Sequence, residues 1–333
     1  MRRLRYIFKR IGSLQVGNMV AIAKKIRKQC GKPAWFILLD MVISAFRYGC
    51  GYMDYFEFEF FLLNDAERRT YITGSINSEI VRKYNSKEHY YIFDDKAEFN
   101  RRFKEYLGRD FLVLTPDNLP EFIDYIKGKE LFIVKPLDSN CGIGVEVFAC
   151  AEIEDVKGLH QRLITNDQLL VEDFIEQAPE MNQLYPNSVN TLRVISFRKD
   201  TEVNILKVIL KIGNHGGRVD NFSNGGMYTF VDEQGIVFVP AIDEEGNIFH
   251  QHPLSNCPIV GFKVPQYQAV CDLVKTMGKV VPQMPYIGWD VAVTKGGPVV
   301  VEGNNFCGIF QVKPSISGIK TGDLPNFRRF IDV

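Results

Sequence analysis

The sequence has few of the residues that build disulfide frameworks or zinc centres. Its seven cysteines are an odd number and form no Cys-x-x-Cys pair, so reduced thiols in a cytoplasmic protein are expected. Only five histidines are present. His250 and His252 with Cys257 could be interpreted as zinc ligands, but their spacing fits no tetrahedral motif and favours a polar loop. No Ser/His/Asp or Cys/His set typical of nucleophilic catalysis is found either.

Net charge and long apolar runs are also lacking. The 40 basic and 40 acidic residues cancel, which argues against nucleic acid as a partner. The most apolar N-terminal stretch, AWFILLDMVISAF, is too short to span a bilayer and is interrupted by Asp40. No signal peptide is evident, so the sequence predicts a cytoplasmic protein.

The N-terminal segment contains basic residues without acidic ones. Residues 1–39 contain ten Lys or Arg and no Asp or Glu. The basic residues of segment 1–30 alternate with apolar ones at roughly helical spacing, which would suit peripheral contact with the inner face of an anionic membrane. The alternative is a basic helix packed on its own domain, with its charges in water.

The chain as a whole is predicted to be α+β. We expect a mainly helical region over 1–90. A strand-containing subdomain with the lysines and the glycine loop would follow over 91–184, and a metal-binding and acceptor subdomain over 185–333. Strand patterns include LFIVKP, VEVFA and QLLVEDFI, then NTLRVISFR, NILKVILKIG and a hairpin in MYTFVDEQGIVFV. YYIFDDKAEF is interpreted as a strand-like start followed by a helix capped by Asp94 or Asp95.

A second hairpin is predicted near the C-terminus, in PYIGWDVAVTKGGPVVVEGNNFCG. A three-residue loop centred on Gly296 would place Asp290 directly opposite Glu302, with Asn304 on the same face. Like charges directly opposite each other destabilise a sheet, and a cation between them removes the penalty. Oxygen ligands of this kind suit Mg²⁺. A loop of two or four residues would instead turn Asp290 to the other face.

A phosphate-binding loop is the second chemical feature. Lys135 ends a buried strand and precedes Gly142 and Gly144, whose backbone N–H groups could cradle phosphate oxygens. No GK[ST] follows the glycines and no helix opens after them, which excludes a Walker A loop and a dinucleotide fingerprint. A tight hairpin fits this stretch nearly as well.

Taken in order, these parts resemble the ATP-grasp superfamily from about residue 90 to 320. The resemblance implies two phosphate-binding lysines, a flap over residues 138–144, a hinge that holds adenine, a ribose-binding acid and a carboxylate/amide metal site. The resemblance implies that Lys96 and Lys135 are the lysines, that Glu172, Asp173, Phe174 and Ile175 form the hinge, and that Glu180 is the ribose-binding acid. The other positions that match nucleotide-binding ones are Ser139, Gly142, Gly144 and Lys211. The positions that match metal ligands are Asp290, Glu302 and Asn304.

Within that superfamily, the chain resembles most the sugar-transfer-associated proteins of bacterial polysaccharide gene clusters. NSVNTLRVISF and GGRVDNFSNGGMYTFVDEQG carry this resemblance. It implies an ATP-dependent ligase with two Mg²⁺ ions, or Mn²⁺ in their place. An acyl phosphate formed on a glycan carboxylate, such as a uronic acid, would be attacked by an amine.

The chain departs from D-alanine–D-alanine ligase at Gly288, where that enzyme has an arginine. Arg193 and Arg218 are the candidates for the missing cation, although Arg193 could equally form an ion pair between strands. Asn221 lies with Arg218 in the glycine-rich loop 213–226, which is predicted to act as a lid. Lys207 shares strand parity with Lys211 and could replace it.

Two other functions stay open. A kinase on the same fold would need a general base, for which Asp220 is the candidate. A non-catalytic nucleotide-binding protein at the membrane is the other, although the retained Lys135, Asp290, Glu302 and Asn304 argue against it. Oligomeric state is not predicted.

Overall fold

The computed structural model describes residues 16–138, 142–214 and 225–333. These residues form two compact units. The first contains the chain up to Glu79 together with Ile309–Arg329 and Val333, and the second contains Ile80–Gly308 with Phe330–Asp332. The boundary therefore falls before the one predicted at residue 90, and a C-terminal segment belongs to the first unit.

Helices alternate with short strands after residue 90. The α-helices of the described residues are α1 Val16–Cys30, α2 Ala34–Tyr48, α3 Tyr52–Glu57, α4 Asp65–Arg68, α5 Gly74–Tyr84, α6 Tyr91–Asp94, α7 Lys96–Arg102, α8 Leu119–Ile126, α9 Val156–Thr165, α10 Pro179–Leu184, α11 Tyr267–Met277, α12 Pro314–Ser317 and α13 Leu324–Phe327. None of them is long and apolar enough to cross a bilayer.

The strands form two antiparallel sheets in the second unit. They are β1 Phe111–Val113, β2 Leu131–Lys135, β3 Glu146–Ala149, β4 Leu170–Asp173, β5 Thr191–Lys199, β6 Glu202–Ile212, β7 Met227–Val231, β8 Ala241–Asp243, β9 Ile248–Phe249, β10 Tyr286–Thr294 and β11 Gly297–Asn304. The smaller sheet has the order β1-β4-β2-β3, and the larger has the order β11-β10-β5-β6-β7-β8-β9. The predicted α+β class is confirmed.

The first unit is a helical cluster with an aromatic core. Tyr55, Phe58, Phe60 and Phe61 from the aromatic stretch at 48–63 are buried together, as their apolar character requires. The C-terminal segment completes this unit by hydrogen bonds to it. The Gln311 side chain donates to the Ile72 carbonyl over 2.6 Å, and the Gly322 N–H donates to the Thr70 hydroxyl over 2.7 Å.

The second unit is built around the long strands β5, β6 and β10. Apolar side chains from one face of this sheet pack against α11, whose Val270, Val274 and Met277 are buried. Trp289 on β10 is fully buried, packs edge-to-face on Phe103 and donates its indole N–H to the Ser196 hydroxyl over 2.9 Å. This core fixes β10 beside the first helices of the unit.

Two local predictions need correction. The strand-like start at YYIFD is helical as α6, and Asp95, not Asp94, caps the helix that follows by accepting from the N–H groups of Ala97 and Glu98. In the hairpin predicted at 227–239 only β7 is a strand, and Val237 returns to it through one isolated bridge with Val231.

Candidate active site

One cavity of about 550 Å³ collects predicted residues from both sheets of the second unit. It is lined by the N-terminal end of α7, by the ends of β2 and β4, and by β5 and β11. Six of the predicted site residues line it: Lys96, Lys135, Glu172, Arg193, Glu302 and Asn304. These positions span more than 200 residues of sequence, so the fold brings together what the motif order only implied.

The hairpin of β10 and β11 places Asp290 directly opposite Glu302, as predicted. The route differs from the prediction, because Thr294 pairs with Gly297 and the loop is therefore only Lys295-Gly296. Such a loop alone would set Asp290 opposite Val301. A β-bulge places Val301 on β11 as an extra residue between the pairs Val291–Val300 and Asp290–Glu302, and this restores the predicted pairing.

The opposed carboxylates occupy different electrostatic surroundings. Asp290 is buried and forms a bidentate ion pair with Arg193, in which one N–O distance is 2.9 Å, and it lies 3.3 Å from the Lys211 ammonium. Burial opposes ionisation of Asp290, but these two cations outweigh it and hold its pKa well below the usual range. Burial, with the neighbouring Asp290 charge, raises the pKa of Glu302.

A metal cation would therefore meet Glu302 and Asn304 first, since both line the cavity and Asp290 does not. The Asn304 amide nitrogen donates to the Gly288 carbonyl over 3.3 Å, which leaves the amide oxygen as the ligand atom. Burial and the charge of Asp290 raise the pKa of Glu302 more than Lys211 and Arg193 lower it, so a further cation would stabilise the ionised carboxylate. The set of two carboxylates and one amide thus fits Mg²⁺.

The two predicted phosphate-binding lysines also line the cavity. Lys96 is the first residue of α7, immediately after the capping Asp95, and burial lowers its pKa with a contribution from Lys135. The Lys135 ammonium lies 2.5 Å from a carboxylate oxygen of Glu172. Two cations that line one cavity form an attractive site for a polyanion.

Glu172 is enclosed by donors. Arg109 and Asn100 contact one of its carboxylate oxygens at 2.9 and 2.6 Å, and Lys135 contacts the other. Burial would raise the pKa of Glu172, but the charges of Arg109 and Lys135 lower it to about 2. Glu172 is therefore ionised at the cavity wall, between Arg109 and Lys135.

Arg109 is a residue that sequence analysis missed. Besides Glu172, its guanidinium donates to the carbonyls of Val300 and Val301 over 2.7 and 3.2 Å. It thus caps the bulge on β11 while it holds the hinge carboxylate on β4. No local signal indicates this role, because Arg109 precedes a three-residue strand and its partners lie far along the chain.

The Arg193 side chain lies next to Gly288, the position at which D-alanine–D-alanine ligase has an arginine. A β-carbon built at Gly288 would come 3.2 Å from Cδ of Arg193 and 3.4 Å from Sγ of Cys307. A larger side chain at Gly288 would therefore compete with Arg193 for the same space. Both interpretations of Arg193 meet here, since it pairs with Asp290 across the strands and also lines the cavity.

The structure also distinguishes Lys211 from Lys207. Lys211 reaches Asp290, whereas the Lys207 ammonium lies 4.4 Å over the ring of Phe230. The equal parity of the two positions does not give equal access. The register of β6 with β5 is unbroken from Lys207 to Lys211, but Lys207 pairs with Ile195 and Lys211 with Thr191, on either side of the Arg193 pair.

The remaining hinge residues lie outside the large cavity. Asp173 is held by Lys129 and Tyr125 at 2.6 and 2.8 Å. Phe174 and Ile175 line a separate cavity of about 290 Å³. Glu180 is exposed in the first turn of α10 and lines neither of these cavities. Its predicted role at the ribose has no support from this placement.

The glycine loop is described only at its end. Gly142 and Gly144 have φ values of 71° and 74°, in the left-handed region that glycine favours. A β-carbon at Gly144 would lie 2.7 Å from Cγ of Pro136. Ser139, Arg218 and Asn221, together with Asp220, lie outside the described residues.

His252, one of the three residues considered as zinc ligands, makes hydrogen bonds to the backbone instead. His252 is buried, one ring nitrogen lies 2.9 Å from the Gly213 carbonyl, and the other accepts from the N–H of Leu254. Over the ranges that the structure describes, no three His, Cys, Asp or Glu side chains converge in a way that could hold a metal.

Comparison with known proteins places this geometry in context. A family model described as sugar-transfer associated ATP-grasp matches residues 75–318, well over half of the chain. No protein of curated function matches the sequence.

Solved structures give more distant likenesses. D-alanine–D-alanine ligase from Helicobacter pylori is 14% identical with a TM-score of 0.45, and the match covers 75% of this chain and 64% of that one. The Bacillus anthracis enzyme is 12% identical with a TM-score of 0.42, covering 77% and 74%. The ATP-grasp ligase PsnB, in a complex with Mg and ADP, is 11% identical with a TM-score of 0.42, covering 71% and 57%. Likenesses this distant support no conclusion about activity.

Proposed function

Because the chain belongs to the sugar-transfer associated ATP-grasp family, we propose that it is an ATP- and Mg²⁺-dependent carboxylate–amine ligase. The acceptor we propose is a sugar carboxylate such as a uronic acid. An amino acid or another amine would be joined to it during capsule or exopolysaccharide biosynthesis. The observation that carries the proposal is the meeting of Lys96, Lys135, Glu302 and Asn304 around one cavity.

The polyphosphate of ATP would lie between the two sheets. Lys96 and Lys135 would supply positive charge, and the repulsion that Lys135 exerts on Lys96 would be relieved when phosphates bind. The ionised Glu172 holds Lys135 in place and offers an acceptor to the adenine amino group, as the family resemblance implies. The cavity volume of about 550 Å³ is within the range of small-ligand sites.

The metal would be held by Glu302 and Asn304, with Asp290 behind them. Mg²⁺ bound there, or Mn²⁺ in its place, would neutralise the charge that develops on the transferring phosphate. We propose two ions, as in the ligases that the motifs resemble.

The chain's own side chains perform the remaining tasks. A carboxylate that attacks phosphorus needs neutralisation of charge more than a proton acceptor. Arg193 and Lys211, both near Asp290, are the cations best placed to approach the transferring group. The acyl phosphate would then react with the amine, releasing phosphate and leaving an amide.

The test is ³¹P NMR of the protein with Mg·ATP and a panel of uronic acids, with and without amino acids. We expect ADP and free phosphate only when both the acid and the amine are present. A stable phosphomonoester signal without any amine would identify a kinase and overturn the acyl-phosphate mechanism. A spectrum that stays unchanged with every acid and amine, while ATP still binds, would favour a non-catalytic nucleotide-binding protein.

A further inference from the structure

The outward face of α2 is apolar. Six large side chains there are between 40% and 68% exposed: Trp35, Phe36, Leu39, Val42, Ile43 and Phe46. The opposite face of the same helix, with Ile37 and Met41, is buried in the first unit. Helix α2 is therefore apolar on both sides, although only one side has a partner among the described residues.

The spacing makes this a continuous surface. Residues 35, 39, 42, 43 and 46 follow the three- and four-residue steps that keep side chains on one side of a helix. Single exposed apolar residues are common on proteins, but contiguous patches mark contact sites. We call this surface the α2 apolar face.

Basic residues accompany the α2 apolar face. Helix α1 packs beside α2 and exposes Lys24, Lys25, Arg27 and Lys28. The one acidic residue in α1 and α2 is Asp40, which is turned inward, where it pairs with Arg68 at 2.6 Å and accepts from the Tyr55 hydroxyl over 2.6 Å. The two helices thus combine apolar and basic character without an exposed acid.

We propose that the α2 apolar face and the basic side of α1 dock on an anionic phospholipid bilayer. Aromatic and aliphatic side chains of α2 would enter the region between headgroups and acyl chains, and the lysines of α1 would lie against the phosphates. Trp35, at 68% exposure, has the amphipathic ring that favours this depth. The proposal does not depend on the chemistry of the cavity.

Charge favours a bilayer over a second copy of the chain. A symmetric dimer through α2 would bring two basic α1 helices to the same interface, where like charges repel. Anionic headgroups instead attract those lysines and arginines.

The two tryptophans allow a direct test. Trp289 is fully buried and hydrogen-bonded, so a change of emission on adding vesicles reports Trp35. We expect a blue shift and co-sedimentation of the full chain with phosphatidylglycerol-containing vesicles, but not with phosphatidylcholine alone. High salt should weaken the binding because it screens the attraction.

Variants separate the apolar and basic contributions. Leu39→Ser with Phe46→Ser should lower the affinity for anionic vesicles by about tenfold or more. Lys24→Glu with Lys28→Glu should have a similar effect and reduce the salt dependence. Leu254→Ser is the matched control, since Leu254 is 58% exposed on the second unit, and it should leave binding unchanged. Trp35→Phe should keep binding while abolishing the blue shift.

Three results would overturn the proposal. Equal binding to neutral and anionic vesicles would remove the role of α1. No change of Trp35 emission in bound protein would remove the role of α2. A concentration-dependent dimer in light scattering that dissociates in the Leu39→Ser, Phe46→Ser variant would assign the face to a second copy instead.

Discussion

Glu172 and Glu302 are two glutamates at the wall of one cavity, and their pKa values move in opposite directions. Glu172 on the smaller sheet lies between Arg109 and Lys135. Glu302 on the larger sheet faces Asp290, whose two cations are already engaged with it. Burial disfavours the charge of both, so the neighbours decide the outcome. The smaller sheet places two cations beside its glutamate. The larger sheet offers a carboxyl for which Lys211 and Arg193 do not offset burial and the charge of Asp290.

Replacing Glu302 should have the largest effect. We expect Glu302→Gln to lower the rate of Mg·ATP turnover on the order of 10²- to 10³-fold, because a metal ligand is lost. Isothermal titration should show that ATP binding has lost most of its dependence on Mg²⁺. Glu180→Gln, at an exposed site, is the control. Unchanged Mg²⁺ dependence in Glu302→Gln would place the metal elsewhere.

Removing a cation from beside Glu172 should lower the stability of the protein. Arg109→Met would leave Glu172 short of a partner and uncap the bulge carbonyls, so the free energy of unfolding should fall by about 3–5 kcal/mol in urea titration. The exposed Arg162–Glu146 pair is the control, and Arg162→Met should cost less than about 1 kcal/mol. The double change Arg109→Met, Glu172→Met should recover part of the loss. If it does not, Arg109 acts through the bulge alone.

Replacing Arg193 should show whether it acts as a catalytic group. Arg193→Ala is expected to lower turnover by about 10²-fold. Adding Gly288→Arg to that variant should restore part of the rate, because the space next to Gly288 is then free. Gly288→Arg alone should be defective, since the two arginines would collide. Failure of the double variant to exceed Arg193→Ala would leave Arg193 as a strand ion pair.

The opposite shifts also predict a pH dependence. Mg²⁺ needs ionised Glu302, so Mg²⁺ affinity should decline as pH falls through the raised pKa of that group, where an ordinary glutamate would still be charged. Asp290→Asn removes the repelling charge, so the midpoint of the decline should move to lower pH. Titration of Mg²⁺ affinity against pH in both proteins measures this. A midpoint that does not move would show that burial alone raises the pKa.

The smallest effect concerns the helix that presents Lys96. Asp95→Ala removes the cap that accepts from Ala97 and Glu98 at 2.7 and 3.0 Å, and should cost about 1 kcal/mol of unfolding free energy. Asp95→Asn keeps an acceptor and should cost less. Equal losses in the two variants would mean that charge, not hydrogen bonding, is the main contribution.

Sequence analysis predicted the facing pair Asp290 and Glu302 by a path that the structure corrects. The assumed three-residue loop is a two-residue loop with a compensating bulge. Local turn rules cannot reveal that bulge, because Arg109 supports it from another part of the chain. The helix at Tyr91–Asp94 was missed for a similar reason, since packing of Phe93 against Trp289 overrides a strand-like pattern. Ordered motifs were sufficient for the family and the α+β class.

The return of residues 309–329 to the first unit has a consequence for synthesis. Gly322 and Thr70, which share a hydrogen bond, are 252 positions apart, and Leu324 donates to the Thr70 carbonyl over 2.9 Å. A ribosome delivers the chain from its N-terminus, so the helices of the first unit emerge first but must wait for residues 309–329 before they make all their contacts. Until residues 309–329 have been made, the aromatic core of the first unit lacks the packing that they contribute. A released chain that ends at residue 318, where the family match ends, would contain every strand of the larger sheet but lack part of the segment that completes the helical unit.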